Sequence, residues 1–282
     1  MTDTPTDFDP GTVPIRPAAT VMLVRDGDRG LEVFMLRRTM AAVFAGGMYV
    51  FPGGRVDDAD RADDVRDLCD GLNDAEASGI LSVPAGGLAF WVAAIRECFE
   101  EAGVLLARTA SGSVVRFDDP VTEDRFNQHR HAVHDGTRSL ADVCSAEGLR
   151  LVTDDIRYVS HWITPIGQPR RFDTRFLLAR APQAQEPLHD DGETTESLWV
   201  RPNDALTRFR AGELAMIGPT IANLEFLAPH VTADDVLQAA ERTIRSPPPV
   251  LPKLKVDAEG CVVDSVLPGQ PDYEAMSAMH IV

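Results

Sequence analysis

The feature that most constrains this chain is an acidic segment at residues 96–104, which reads RECFEEAGV. Residues spaced i, i+3 and i+4 share one face of an α-helix, so Glu97, Glu100 and Glu101 are expected to lie together. Gly103 predicts the end of this helix, because glycine readily adopts the left-handed conformation of a helix C-cap. Carboxylates this close repel and raise each other's pKa unless a cation lies among them. A hard divalent cation that prefers oxygen ligands, Mg²⁺ or Mn²⁺, would relieve this repulsion.

The same segment also fits an ordinary amphipathic helix with a solvated acidic face. Val92, Ile95 and Phe99 supply the apolar stripe of such a helix, which is predicted to run from about Leu88 to Ala102. The complete pattern R-E-x-x-E-E-x-G-hydrophobic favours a functional role. Five fixed residue types, each at about one in fifteen, arise by chance in fewer than roughly one in a thousand chains of this length.

A second informative segment lies upstream at residues 49–54, which read YVFPGG. It is a short β-prone run followed by Pro-Gly-Gly, where the backbone is expected to turn tightly. Alone, this pattern indicates only a loop. Upstream of the acidic helix it suggests that Gly53 and Gly54 belong to the same site.

Together the two segments resemble the two halves of the Nudix box, the signature of hydrolases that split diphosphates linked to another moiety. In the family, the arginine follows the second glycine by about fourteen positions. Here Arg96 follows Gly54 by 42 positions (96 − 54). The resemblance therefore implies a box that is split after Asp60 by an insertion at about residues 61–87. Asp60 then stands where the family has a glutamate, as a shorter partner for Arg96.

An interrupted box of this kind resembles one branch of the family, the peroxisomal coenzyme A diphosphatase-like enzymes. Residues 102–106 (AGVLL), 161–165 (HWITP) and 170–176 (RRFDTRF) are similar to that branch, and the resemblance covers roughly residues 16–230. It implies an α/β (α+β) fold, the Nudix α/β/α sandwich around a mixed β-sheet, here with a helical insertion and added C-terminal helices.

The resemblance also implies the residues of the metal site. Glu97, Glu100 and Glu101 would bind Mg²⁺ (or Mn²⁺), with the Gly53 carbonyl as a fourth ligand and Arg96 beside them. One of the glutamates would accept the proton of the attacking water, and the sequence does not separate this base from the ligands.

A further acidic ligand is expected from outside the box, at Glu193 or Glu196. Glu196 is favoured because the family commonly has a glutamate shortly before a tryptophan strand, although both could be exposed loop acids. The arginines near residue 170 could bind phosphate through their planar guanidinium groups or form a surface basic pair, and the aromatic residues could stack on a base or pack in the core. The residues expected to contact substrate are Phe51, Gly54, Trp162, Arg170 and Arg171.

Three functions are compatible with these residues. The first is a metal-dependent hydrolase that cleaves a diphosphate linkage with metal-activated water, with coenzyme A or acyl-coenzyme A as substrate. The second is the same reaction on a dinucleotide or a nucleotide sugar. The third is a catalytically silent Nudix-fold binding module, which the retention of all three glutamates disfavours.

The composition narrows the expected partners. The net charge of −17 and isoelectric point near 4.7 argue against sequence-independent binding to nucleic acid or to anionic membranes. The four cysteines are far apart in sequence, which predicts reduced thiols rather than disulfides or a zinc site. The expected partners are a small-molecule diphosphate and, for the C-terminal tail, the body or a second copy of the chain in a homodimer. The C-terminus lacks a Ser-Lys-Leu type signal, so a cytoplasmic location is predicted.

The chain is expected to divide into a flexible leader (1–16), a Nudix domain (17–245) and a Pro-rich C-terminal tail (246–282). Within the domain, residues 18–25 and 31–38 predict a hairpin. The insertion predicts a solvated loop with one short helix, or alternatively a second acidic cation site or a lid over the substrate. The other segments predicted as helices are 121–147, 203–213, 219–228 and 232–245. The other segments predicted as strands are 156–164, 171–179 and 196–200, with a hairpin-like segment at 255–267 in the tail.

Overall fold

The chain forms a mixed β-sheet with helices on both faces. The structure is a computed structural model, and it describes residues 11–42, 45–189, 192–242, 246–259 and 261–281. The strands are β1 Ile15–Gly27, β2 Gly30–Arg38, β3 Tyr49–Val50, β4 Gly53–Arg55, β5 Cys69–Asp70, β6 Ala107–Thr109, β7 Leu149–Val152, β8 Arg157–Ile163, β9 Arg171–Arg180, β10 Thr194–Val200, β11 Lys253–Val256, β12 Val262–Val266 and β13 Met279–Ile281. The helices are α1 Asp63–Arg66, α2 Asp74–Leu81, α3 Leu88–Ala102, α4 Pro120–His134, α5 Leu140–Glu147, α6 Pro202–Arg210, α7 Gly218–Leu227 and α8 Ala233–Arg242.

The main sheet has the strand order β10-β2-β1-β9-β8, with β3 paired to β2 and β4 paired to β1. The β1–β9 pair is parallel and the other pairs are antiparallel, so the sheet is mixed. The predicted hairpin is present, because β1 and β2 pair antiparallel and close at Gly27 and Gly30.

Two apolar layers explain why the sheet is covered on both faces. Successive side chains of a strand point to opposite faces, and both sets are buried in β1. Ala19, Val21 and Leu23 pack with α3, whereas Met22 and Val24 pack in the layer of α6, α7 and α8. The predicted α/β/α sandwich around a mixed sheet is therefore confirmed.

Helix α3 has the predicted bounds, Leu88–Ala102, and ends at Gly103 in the left-handed conformation (φ 69°). The helical segment predicted at 121–147 is present as two helices, α4 and α5. The second helix begins at a capping box that Ser139 forms with Asp142.

The insertion is more ordered than the predicted solvated loop with one helix. It contains two helices, α1 and α2, and the short strand β5, which pairs with β7. Val65, Ala77 and Leu81 belong to the same apolar core as α3. The insertion therefore packs as part of the domain.

The first turn of α3 is capped by side chains of α2. The carboxylate of Asp74 accepts hydrogen bonds from the Gly86 and Leu88 N–H groups, at 2.9 and 3.1 Å, and the Ser78 hydroxyl accepts one from Gly87 at 2.9 Å. The first N–H groups of a helix have no partner within the helix, so these contacts stabilise the start of α3. The insertion thus fixes the helix that carries the glutamates.

The C-terminal tail is attached to the body by a short strand-like pairing. The Val250 N–H donates to the His161 carbonyl at 2.8 Å, and the Ile163 N–H donates to the Val250 carbonyl at 2.9 Å. Beyond this point the predicted hairpin is present as β11 and β12, to which β13 adds a third strand that the sequence did not predict. The homodimer stays a prediction.

The start of the chain, the cysteines and the helix lengths bear on the remaining predictions. Residues 1–10 of the predicted leader lie outside the described residues, and β1 begins at Ile15, within the range predicted as leader. All four cysteines are free, as predicted. No helix in the described ranges is long and apolar enough to cross a membrane. The cytoplasmic location stays a prediction.

The capping of α3 by the insertion can be tested by replacing Asp74. Asp74→Ala removes both hydrogen bonds to the start of α3, and we expect the free energy of unfolding to fall by about 1–2 kcal/mol, the usual cost of a lost helix cap. Urea denaturation measures this change. Asp67→Ala, an exposed aspartate of the same insertion, is the matched control and should cost less than about 0.5 kcal/mol. Equal losses in the two variants would contradict the capping role.

Candidate active site

The acidic end of α3 lies against the glycine turn at β4. The Gly53 N–H donates to the Glu101 carboxylate at 2.9 Å. The role of the Gly53 carbonyl as a metal ligand stays a prediction. A side chain at Gly54 would collide with the Glu97 carboxylate. At Gly53 an added Cβ would lie 2.6 Å from the Ala19 carbonyl oxygen and from the Thr20 Cα, so this position needs glycine because the β1 backbone approaches it closely.

Arg96 joins the acidic helix face to the start of the insertion. Its Nε and Nη2 atoms donate to the two carboxylate oxygens of Asp60, each at 2.9 Å, and the Asp60 side chain is 1% exposed. Its Nη1 atom donates to Glu97 at 2.9 Å and to Glu100 at 3.1 Å. The predicted pairing of Asp60 with Arg96 across the split box is therefore present, in the bidentate geometry that favours arginine.

A fifth contact anchors Arg96 to the glycine turn, because Nη2 also donates to the Arg55 carbonyl at 2.8 Å. Burial lowers the pKa of Arg96, but its hydrogen bonds and charge attraction to Asp60, with the nearby Glu97 and Glu100 charges, raise it further, so the net pKa lies above its ordinary value. The guanidinium is thus a permanent positive charge in the site.

The pKa of each of the three glutamates is raised, despite the arginines beside them. Burial raises the pKa of Glu97 to about 7, although Arg96 opposes the shift. Burial also raises the pKa of Glu100, again against Arg96. The pKa of Glu101 lies well above its ordinary value because of burial and the Glu97 charge, with Arg38 and the Gly53 amide opposing. The site therefore favours an additional cation.

Two arginines beside the glutamates were not found by sequence reasoning. Arg38, at the end of β2, lies 3.5 Å from Glu101, and Arg130 of α4 donates to the carbonyls of Glu100 and Glu101 at 2.8 and 2.9 Å. Arg130 thereby satisfies the free carbonyls at the end of α3. His134, at the end of α4, lies 3.8 Å from Glu100. Arg38 and Arg130 lie on β2 and α4, which are distant in sequence from the glutamates, so the local pattern does not indicate these contacts.

The structure does not place Glu196, the favoured candidate for a further ligand, in the cleft with the three glutamates. The Glu196 carboxylate accepts a hydrogen bond from the Tyr49 hydroxyl at 2.9 Å and lies 3.6 Å from Arg37, outside the residues that line the cleft. Glu193, the other candidate, lines the cleft and pairs with Arg38 at 3.2 Å. A register irregularity in β10, between Thr194 and Glu196, accompanies this arrangement.

A cleft of about 1170 Å³ extends from the glutamates along the sheet. All the predicted substrate residues line it, but Phe51 and Trp162 are also buried in the core beneath α6 and α7. Arg170 is exposed in the cleft, whereas Arg171 is buried and donates to the Thr164 carbonyl at 3.0 Å. The tail contributes to the same cleft through residues that include Leu254 and Val262, so the cleft is bounded by more of the chain than the sequence indicated.

The donor set of the site suits a hard divalent cation. Within the described residues, no three His, Cys, Asp or Glu side chains are arranged to hold a metal ion, because Glu97 and Glu100 contact Arg96 instead. The available donors are nevertheless all carboxylate oxygens, which Mg²⁺ and Mn²⁺ prefer as ligands. Burial raises the pKa of all three glutamates, so a bound cation would stabilise their charged forms. The residues therefore fit the cation that the sequence predicted.

Comparison with known proteins identifies the family. The family profile described as the NUDT19 Nudix domain matches residues 73–227, more than half of the chain. A crystal structure of a Nudix hydrolase from Alicyclobacillus acidocaldarius is 31% identical, with a TM-score of 0.67 over 80% of this chain and 97% of that one. The chain therefore belongs to the Nudix hydrolases, in the NUDT19 branch, and is an enzyme of that family. Nudix hydrolases generally use divalent metals.

Curated relatives point to the same branch. The acyl-coenzyme A diphosphatase NUDT19 of Gallus gallus is 26% identical, with 86% of this chain and 74% of the chicken protein aligned. The Homo sapiens protein of the same name is 28% identical, with 86% of this chain and 72% of the human protein aligned. The resemblance found in the split box is thus confirmed.

The buried Asp60–Arg96 pair predicts a large effect on stability. Asp60→Ala leaves Arg96 without its bidentate partner, and breaking a buried ion pair typically costs about 3–5 kcal/mol. We expect a loss near the lower end, because Glu97 and Glu100 still contact the guanidinium. Thermal and urea unfolding measure the change. The exposed neighbour Asp58 provides the control, and a comparable loss in Asp58→Ala would show that the buried pair is not the cause.

Proposed function

We propose that this protein is a divalent-cation-dependent diphosphatase that acts on coenzyme A or acyl-coenzyme A. The observation that carries the proposal is the set of three mostly buried glutamates on α3, at the end of a long cleft and against the Gly53–Gly54 turn. The coenzyme A part of the proposal is supported by relatives whose names describe acyl-coenzyme A diphosphatases.

Glu97, Glu100 and Glu101 would hold the cation, with Glu193 as a further candidate at the cleft. When bound, the cation neutralises the charge on the diphosphate oxygens and makes water a better nucleophile near neutral pH. A glutamate of this group that does not bind the cation accepts the proton of the attacking water. Arg96 is bound to Asp60, so it would keep the helix face and the turn at a fixed spacing when Glu97 and Glu100 leave Arg96 for the cation.

The cleft is large enough for a substrate much bigger than a diphosphate. Its volume of about 1170 Å³ exceeds the usual range of small-molecule pockets, roughly 300–1,000 Å³. Coenzyme A carries a nucleotide on one side of its diphosphate and an extended pantetheine arm on the other, so it would use such a length. Nucleotide sugars and dinucleotides are the alternative substrates, and no particular contact in the cleft favours them.

A metal-supplemented substrate panel tests the proposal directly. We expect Mg²⁺ or Mn²⁺ to support cleavage of coenzyme A and its acyl derivatives, with phosphopantetheine (or its acyl form) and adenosine 3′,5′-bisphosphate identified by mass spectrometry. Chelation should abolish turnover and added Mg²⁺ should restore it. Specificity constants for dinucleotides or nucleotide sugars that equal the value for coenzyme A would contradict the proposed substrate.

Glu101→Gln is the variant that links this turnover to the site. We expect the substitution to lower kcat by about 100-fold or more while circular dichroism stays unchanged, because it removes a charged ligand but keeps the shape of the side chain. Glu225→Gln, on the exposed face of α7, is the matched control and should retain full activity. Full activity in Glu101→Gln would show that the cation lies elsewhere.

A further inference from the structure

Two arginines in the cleft differ from the others there, because their side chains contact no partner within the described ranges. Arg38, Arg55 and Arg96 line the cleft and are each paired with a carboxylate. Arg16 and Arg170 also line the cleft and are exposed, but neither guanidinium group has a hydrogen-bond or ion-pair partner among the residues that the structure describes. In a protein with a net charge of −17, two unpaired guanidinium groups on one cleft wall need an explanation.

The register of the sheet places these two arginines close together. Arg16 of β1 is directly opposite Phe172 of β9, and Arg170 precedes Phe172 by two residues. Strands lie about 4.8 Å apart and advance about 3.3 Å per residue, so the two Cα atoms are roughly 8 Å apart. Both side chains line the same cleft, and arginine side chains are long enough to converge on one anion from that separation.

The same register separates the arginines from the glutamates. Gly53, which meets Glu101, is opposite Thr20 of β1, four residues beyond Arg16. Four residues of strand span roughly 13 Å. An anion held by Arg16 and Arg170 is therefore a different group from the diphosphate at the glutamates, although one extended molecule could place both.

We propose that Arg16 and Arg170 form a second anion subsite, which binds a phosphate monoester on the part of the substrate remote from the cleaved bond. The inference rests on the proposed function, and for coenzyme A the group is the 3′-phosphate of its adenosine part. Arg171 has a different role, because it is buried and its Nε atom donates to the Thr164 carbonyl, which holds the turn that precedes β9.

The subsite would distinguish compounds that differ only in this phosphate. Hydrogen bonds between charged groups contribute enough to change affinity by about 10- to 100-fold. We therefore expect coenzyme A to have a kcat/KM at least about tenfold above that of dephospho-coenzyme A, mainly through KM. Adenosine 3′,5′-bisphosphate should bind correspondingly tighter than AMP.

On the full chain, calorimetry compares the binding of adenosine 3′,5′-bisphosphate with that of AMP. Kinetics compares the turnover of coenzyme A with that of dephospho-coenzyme A. Arg16→Ala and Arg170→Ala should each lower affinity for the bisphosphate by about tenfold and leave AMP affinity within about twofold. Arg16→Lys should keep part of the preference, because lysine retains the charge but not the planar fork. Arg210 is an exposed arginine of α6 outside the cleft, so Arg210→Ala is the control and should change the affinity for neither nucleotide.

The possible results separate this subsite from the proposed function. Equal binding of bisphosphate and AMP by the unmodified protein, or equal losses for both ligands in the arginine variants, would overturn the subsite even if coenzyme A is cleaved. A bisphosphate preference that both arginine variants abolish would support the subsite even if coenzyme A is not cleaved, and would then count against the proposed substrate alone.

Discussion

The Arg96 guanidinium lies where the insertion, the glycine turn and the acidic face of α3 meet. It binds Asp60 through two hydrogen bonds, the Arg55 carbonyl through a third, and Glu97 and Glu100 through two more. A buried arginine is costly unless its donors are satisfied, so this network constrains all the surrounding segments at once. The insertion can interrupt the box without disrupting the site because Asp60, just before it, still reaches Arg96.

The buried glutamates explain several features around this network. Each carboxylate removed from water raises the free energy of the folded state unless a donor or a cation compensates it. Glycine at 54 lets the backbone approach the Glu97 carboxylate, and Arg130 fixes the end of α3 through its carbonyl oxygens. Even with these contacts, burial raises the pKa of all three glutamates, and a bound cation would oppose that shift.

The sequence predicted the parts of this site whose signals are local. The bounds of α3, the stop at Gly103 and the Asp60–Arg96 pair follow from helix spacing and from a short pattern that resembles a known family. The contacts made by Arg38 and Arg130 were not predictable, because their partners are distant in sequence and nothing in the local pattern indicates them. The position of Glu193 in the cleft and of Glu196 outside it was likewise not evident from the sequence, because a register irregularity lies between Thr194 and Glu196 in β10. The capping of α3 by α2 likewise depends on tertiary packing.

The most direct measurement of the central claim is a crystal structure of the protein with Mn²⁺, using anomalous scattering to locate the ion. A strong anomalous peak at coordination distance from Glu97, Glu100 and Glu101 is expected, with Arg96 still bound to Asp60 but released from Glu97 and Glu100. A peak elsewhere, or no peak while those two glutamates keep their contacts with Arg96, would contradict the account.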